Sequence, residues 1–249
     1  SRAIDLNTGA ISALHSAPQS ETWITGSYNP STWSLVNRTG VQYRKRFAGL
    51  TATDTRITPD YLFASNGHQY SLYSRESKDT VLRREAHKGL VRYGFVDNES
   101  ESLITGSTKG VVENVSLSDS LNWRRTYGDA SVDPEQGPRN TLVRGRNFVE
   151  ALNHEGETVW SRSAVSSDYR EGRVALLKDD ESVQVLDSGD GEVVWSRSVG
   201  SGYEHVRFSP GGEVYVQGDG VVAAVSRGGV GEKDLGFAPT SGLNFVDWD

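Results

Sequence analysis

The side chains of this chain that could carry out chemistry are its five histidines, two carboxylate clusters and many serines. No two histidines have a spacing, such as His-x-x-x-His, that would let both bind one zinc ion. The carboxylates of residues 179–181 and 187–190 could attract Ca²⁺, but the complete loop with its distant glutamate is missing, so turn formation explains them better. No Gly-x-Ser-x-Gly motif marks a serine hydrolase. The sequence therefore predicts no catalytic residue, no metal ligand and no enzyme activity.

Basic residues stand side by side at Arg44–Arg46, Arg83–Arg84 and Arg124–Arg125. A basic stripe formed by these residues would attract an acidic partner or the headgroups of a membrane. On outer β-strands, however, arginine side chains reach solvent while their stems cover apolar neighbours. We favour this second, structural interpretation.

The composition excludes several classes of protein. Thiolate metal sites, cysteine catalysis and disulfide scaffolds need cysteine, and the chain has none. No apolar run approaches the roughly 20 residues that cross a bilayer as a helix, so we expect no transmembrane segment. The net charge of −7 argues against binding nucleic acid by neutralising its phosphates. The 27 glycines favour short strands joined by tight turns.

The elements that would position a site repeat along the chain with a period of about 40 residues. Each repeat combines apolar strands and polar turns with a last strand that often carries Trp and Arg. The six opening strands end at Gly26, Asn66, Gly106, Gly145, Lys178 and Gly218. Strands at this period are typical of propeller blades. The sequence thus predicts an all-β chain that folds as a single β-propeller domain, 1–249.

The second half of the repeat is a hairpin whose last strand carries tryptophan. Ala151–Arg162 and Val185–Arg197 both place Gly four residues before Trp and Arg two residues after it. We expect Gly to take the positive φ of the turn and Trp to cover the gap to the neighbouring blade. The predicted blade-docking residues are Trp123, Trp160, Trp195, Gly9, Gly156 and Gly191.

These hairpins resemble the β-propeller repeats of the pyrroloquinoline-quinone-like (quinoprotein-like) family, which read roughly Ala-x-Asp-x-x-Thr-Gly-x-x-x-Trp. Ala3–Gly9 fits the first seven positions, but Ala13 stands where Trp is expected. WD-repeat propellers are a similar neighbour, since His205–Tyr215 looks like their opening strand. The resemblance implies that these motif residues pack one blade against the next, and it implies no particular chemistry. Quinoprotein enzymes hold a quinone and Ca²⁺ on a far longer chain, often beside a vicinal disulfide, so we expect no cofactor here.

Both ends of the chain carry a fragment of a repeat. Residues 1–20 match the second half of a unit, and residues 240–249 match an opening strand. If paired, the two segments would share a closing blade and protect the sheet edges that an open ring exposes. We therefore predict seven blades of four-stranded antiparallel sheets, closed by pairing of the N- and C-terminal segments, with six blades as the alternative.

Two connections, residues 49–59 and 127–140, exceed the usual loop length. In propellers such loops gather on one face, where partners usually dock. With the shorter connection at residues 87–88 they form a predicted partner face, although variable linkers without function are an equally good interpretation. The residues of this face are His87, Lys88, Tyr127, Asp129, Asp133 and Glu135.

The leading hypothesis is a non-catalytic β-propeller that acts as a protein-interaction or attachment platform. We expect it on a cell, envelope or virion surface, outside the cytoplasm, with protein partners in a larger assembly and no nucleic acid. The alternative is a propeller that binds a carbohydrate or an ion, or a quinoprotein-like enzyme, in each case through the central channel. Three or more carboxylate, His or Arg side chains that converge at the mouth of the channel would favour that alternative. A cytoplasmic scaffold of the WD-repeat type is the third hypothesis.

Overall fold

The computed structural model describes ten segments of the chain, and each of them contains at least one strand. The segments are 11–16, 22–28, 31–37, 39–46, 54–58, 60–65, 68–128, 130–209, 211–218 and 221–233. Together they form 24 strands in six four-stranded sheets. Among these residues there is no helix long and apolar enough to cross a membrane.

The chain divides into two compact units, Ser1–Glu135 and Gln136–Asp249. The first unit contains sheets 1 to 3, each built from four strands that are consecutive in the sequence. Sheet 1 contains β1 (Ile11–Ser16), β2 (Thr22–Tyr28), β3 (Ser31–Asn37) and β4 (Gly40–Arg46). Sheet 2 contains β5 (Asp54–Ile57), β6 (Tyr61–Ser65), β7 (Gln69–Ser74) and β8 (Thr80–Glu85). Sheet 3 contains β9 (Val91–Asp97), β10 (Ser102–Ser107), β11 (Val111–Ser116) and β12 (Leu121–Thr126).

The remaining three sheets follow the same order, and the boundary between the units falls within the first strand of sheet 4. Sheet 4 contains β13 (Asp133–Gln136), β14 (Thr141–Arg144), β15 (Phe148–Leu152) and β16 (Thr158–Ser163). Sheet 5 contains β17 (Ser166–Arg170), β18 (Arg173–Leu177), β19 (Ser182–Asp187) and β20 (Val193–Ser198). Sheet 6 contains β21 (His205–Phe208), β22 (Val214–Gly218), β23 (Val221–Ser226) and β24 (Gly229–Lys233).

Within each unit, the core lies between the faces of consecutive sheets. Side chains alternate between the two faces of a strand, and a strand covered on both faces is apolar along its whole length. In β18, Leu176 packs with Leu142 of sheet 4, whereas Ala175 packs with Val206 and Val216 of sheet 6. The same arrangement joins sheets 1, 2 and 3 of the first unit. This explains why the middle strands read as short continuous apolar runs.

A β-bulge recurs at one position in the fourth strand of the first five sheets. The register with the third strand shifts by one residue just before Tyr43, Leu82, Trp123, Trp160 and Trp195. A bulge inserts an extra residue and increases the local twist, and a twisted outer edge pairs poorly with strands of other molecules. In sheet 6 the register of the fourth strand is uninterrupted.

The predicted all-β propeller fold is confirmed, and the six sheets fit the alternative of six blades rather than the preferred seven. The reason lies in β1, which pairs with β2 as the first strand of sheet 1. Part of the segment 1–20 therefore belongs to that sheet. The predicted pairing of residues 1–10 with 240–249 lies outside the described residues, and the single domain 1–249 stays a prediction.

Candidate partner-docking face

Trp160 and Gly191 join sheet 4 to sheet 5 within the second unit. Trp160 on β16 is only 5% exposed, and its Nε1 donates a hydrogen bond of 3.0 Å to the carbonyl oxygen of Ser188. Gly191 has a φ of 72°, and a Cβ on it would lie 2.5 Å from Cγ of Trp160. Glycine is therefore required twice at this position, by the backbone conformation and by the indole that lies against it.

An arginine of the fourth strand reaches the following sheet in both units. Arg162 Nη2 donates to the carbonyl oxygen of Gly191 at 3.2 Å, and Arg84 Nη1 donates to that of Asp119 at 3.2 Å. Arg197 Nη2 donates in the same way to the carbonyl oxygen of Arg227 in sheet 6. Each acceptor lies in the turn between the third and fourth strands of the next sheet. The interpretation of Arg84 as a solvated cover misses this contact, although the Trp-x-Arg spacing is a signal for it at Arg162 and Arg197.

Replacing Arg162 with alanine is expected to lower the free energy of unfolding by about 2 kcal/mol, since one charge-assisted hydrogen bond between sheets is lost. Arg173→Ala is the matched control, because Arg173 pairs at 2.6 Å with Asp187 of its own sheet in an exposed salt bridge. Such a pair contributes about 0–1 kcal/mol. Urea denaturation of both variants measures the difference, and equal losses would contradict the contact between sheets.

The other predicted blade-docking residues lie in three different settings. Trp123 is half-buried on β12, opposite Asn114 of β11. Gly156 is buried in the turn between β15 and β16 with a φ of 80°, and its N–H donates to the carbonyl oxygen of Asn153 at 3.0 Å. Gly9 lies outside the described residues.

The turn between β10 and β11, residues 107–110, holds the loop 86–90 on one side. Leu90 N–H donates to the hydroxyl oxygen of Thr108 at 3.0 Å, and Thr108 N–H donates back to the carbonyl oxygen of Leu90 at 2.9 Å. The stem of Lys109 lies against Gly89, whose Cβ would be 2.7 Å from Cγ of Lys109. Loop and turn therefore form one continuous surface.

The same turn holds the loop 127–132 on its other side. Tyr127 N–H donates to the carbonyl oxygen of Gly110 at 2.7 Å, and Val132 N–H donates to that of Ser107 at 3.1 Å. A Cβ on Gly106 would lie 2.6 Å from the carbonyl oxygen of Val132, so the two backbones are in close contact. We call the surface formed by these three segments of the first unit the docking face. It consists of residues 86–90, 107–110, 127–128 and 130–132.

The docking face brings together three of the six predicted partner residues. His87 and Lys88 are exposed on it, and Tyr127 is half-buried with the guanidinium of Arg125 5.9 Å from its ring centroid. The exposed Lys109 also lies on this face and was missed. The Gly-Ser-Thr-Lys-Gly turn between two apolar strands is a signal that could have identified it.

The other three predicted partner residues do not lie within the described part of the docking face. Asp133 and Glu135 are half-buried on β13, directly after the loop 127–132. Asp129 lies outside the described residues.

The carboxylate clusters of the sequence form turns in the structure. Asp180 Oδ1 accepts hydrogen bonds from the N–H and the hydroxyl of Ser182, at 3.1 and 2.5 Å. Asp187 Oδ1 accepts one from Gly189 N–H at 2.9 Å. Where side chains are described, no group of three or more His, Asp or Glu residues is arranged to hold a metal ion.

Comparison with known proteins identifies one family. The family model described as outer membrane protein assembly factor BamB matches residues 108–242. The crystal structure of BamB from Moraxella catarrhalis is similar to this chain, with a TM-score of 0.64 and 15% sequence identity. The similarity covers 89% of this chain and 72% of that chain. No curated protein matches the sequence. At this identity the structural match shows a shared fold.

Proposed function

Because the chain belongs to the family of the outer membrane protein assembly factor BamB, we propose that it is a protein-interaction platform. It acts without catalysis, outside the cytoplasm, as one component of an envelope assembly whose other members are proteins. The observation that carries this proposal is the docking face, where two inter-sheet loops are fixed to one turn of sheet 3 by backbone hydrogen bonds.

Fixed loops suit a docking role for an energetic reason. A partner that binds a flexible loop must pay the entropy of ordering it, whereas a surface already held by its own hydrogen bonds avoids that cost. His87, Lys88 and Lys109 project from this fixed surface into solvent. They can therefore meet a partner without rearrangement of the backbone.

A pair of serine and lysine side chains supports the non-catalytic part of the proposal. Lys178 Nζ lies 2.9 Å from Oγ of Ser163, a distance at which a neutral lysine could activate a serine nucleophile. The same Nζ donates to the carbonyl oxygen of Ser163, and the pair is exposed to water. In both contacts the Lys178 amine is the donor, and we assign it the structural role of joining Ser163 to sheet 5.

Affinity capture from envelope extracts tests the docking role. The same substitution, lysine to glutamate, is made at one position on the docking face and at one position away from it. Lys88→Glu reverses a charge on the docking face, and Lys78→Glu reverses one in the turn between β7 and β8, at the opposite end of sheet 2. Reversal of a charge at an interface slows association, and repulsion between like charges lowers the affinity. We expect Lys88→Glu to reduce the captured partner about tenfold or more, by quantitative mass spectrometry, and Lys78→Glu to leave it unchanged. Equal capture by both variants would contradict the proposal.

A further inference from the structure

The fourth strand of sheet 6, β24, has an edge without the protection found on the other sheets. β24 pairs with β23 in uninterrupted register from Gly229 to Lys233. In each of the other five sheets a bulge breaks the register of the fourth strand. Among the described residues no strand pairs with the other side of β24. A regular, unpaired edge presents a row of backbone N–H and C=O groups that an extended chain can join.

Glycine keeps this edge open to a second backbone. Apart from its neighbours in the chain, a Cβ on Gly229 or Gly231 would meet no atom of the described residues within 4 Å. Glycine inside a strand often marks a place where another backbone approaches closely. β24 also lacks the Trp and the Arg that the fourth strands of sheets 3, 4 and 5 carry. An incoming strand therefore finds open space at these two positions.

An apolar surface borders the same edge. Val230 is 38% exposed and lies opposite Val225, which belongs to the core between sheets 5 and 6. Trp195 of sheet 5 packs against that core and stays half-buried, whereas the equivalent Trp160 is only 5% exposed. The core between sheets 5 and 6 is therefore less completely covered beside its fourth strands than the core between sheets 4 and 5.

A second copy of the chain fits this edge poorly. Two β24 strands paired antiparallel over their full length would place Val230 of one copy opposite Glu232 of the other. Cross-strand pairs stabilise a sheet when apolar or oppositely charged residues face each other, and valine opposite glutamate is neither. A segment of another protein with a β-branched residue opposite Val230 satisfies both the backbone groups and the apolar surface.

We propose that β24 accepts an extended segment of a protein partner, with alternating apolar and polar residues, as a fifth strand of sheet 6. Backbone hydrogen bonds supply the affinity in such strand addition, and alternate side chains supply the specificity. The apolar residues of the segment lie on the face of Val230, where they extend the core between sheets 5 and 6. This surface belongs to the second unit and adds a contact to the docking face of the first unit.

Fluorescence anisotropy tests the edge with a labelled peptide of repeating Thr-Val sequence that has one glutamate and one lysine at its ends. We expect this peptide to bind the wild-type chain, and a Thr-Pro peptide, which lacks alternate N–H donors, not to bind. Val230→Lys is expected to weaken binding about tenfold or more, since lysine on an edge strand opposes pairing. The matched control is Val193→Lys on β20. Val193 is 51% exposed beside a bulge, so its replacement is expected to leave binding unchanged.

Hydrogen–deuterium exchange of the wild-type chain locates the bound peptide without any substitution. We expect the outward-facing amides of residues 229–233 to exchange rapidly in the free chain and slowly once the Thr-Val peptide binds. Slow exchange in the free chain would show that the edge is already covered, by a second copy if the slowing depends on protein concentration. Either result overturns the proposal.

The remaining outcomes also decide the proposal, and they are independent of the docking face. Lys88→Glu on that face is expected to bind the Thr-Val peptide as the wild-type chain does, so a failure of the capture experiment leaves this test intact. The proposal is wrong if the Thr-Val peptide does not bind or the Thr-Pro peptide binds equally well. It is also wrong if the slowed amides lie outside residues 229–233, or if Val193→Lys loses as much affinity as Val230→Lys.

Discussion

Trp160→Ala is expected to lower the free energy of unfolding by about 3–5 kcal/mol, the range for a large aromatic residue removed from a core. Trp160 is 5% exposed and packs with Leu142, Ala151 and Leu186 between sheets 4 and 5. Its loss leaves a cavity against a turn that glycine keeps free of side-chain atoms. Urea denaturation followed by circular dichroism measures the change.

Two further variants separate packing from hydrogen bonding at this junction. Trp160→Phe keeps most of the apolar surface and loses the hydrogen bond to Ser188, so we expect a loss of about 1 kcal/mol from the bond and a smaller cavity than with alanine. Trp195→Ala removes a residue at the equivalent position that is only half-buried, so its effect should be smaller than that of Trp160→Ala. An unchanged stability in Trp160→Ala would contradict the role of this residue between the sheets.

Arg124→Ala is expected to lower the free energy of unfolding by about 3 kcal/mol, because it leaves a buried carboxylate without its counter-ion. Glu113 on β11 is 4% exposed. Its Oε1 accepts hydrogen bonds from Arg124 Nε at 2.7 Å and Nη2 at 2.6 Å. Burial, and secondarily the charge of Glu113, also raise the pKa of Tyr70 well above its ordinary value.

The matched control for Arg124→Ala is Arg83→Ala at the equivalent position of sheet 2. Arg83 pairs in register with Ser71, as Arg124 does with Glu113. Its Nη2 donates to Oε1 of the half-buried Gln69 at 2.7 Å. The removal of Arg83 leaves no buried charge without a counter-ion, so the loss in the free energy of unfolding should stay below about 1 kcal/mol. Equal losses in the two variants, measured by urea denaturation, would show that the buried carboxylate does not determine the effect.

Local patterns in the sequence predict the strands of this fold well. The 40-residue period, the apolar alternation and the Gly-to-Trp spacing indicate propeller blades, and the structure has four-stranded sheets of that kind. The number of blades was harder to predict, because Ile11–Ser16 lacks the Trp that marks other repeats. Its assignment depends on pairing with β2, which no local pattern specifies.

Contacts between sheets account for what the sequence did not predict. The contact from Arg162 to Gly191 and the salt bridges from Asp168 to Arg144 and Arg207 join residues that are distant in the chain. Such contacts follow from how neighbouring sheets pack, which local propensity does not encode. The docking face was partly predictable, because loop length indicated Tyr127 but not the turn that contains Lys109.

The most direct test of the central claim is site-specific photocrosslinking at the two ends of sheet 3 in intact cells. A photoreactive residue replaces the exposed His87 on the docking face, or the exposed Ser118 in the turn between β11 and β12 at the opposite end. The proposed function predicts a discrete crosslinked protein partner from position 87 and none from position 118. Crosslinks from position 118 alone, or equal crosslinks from both positions, would contradict the docking face.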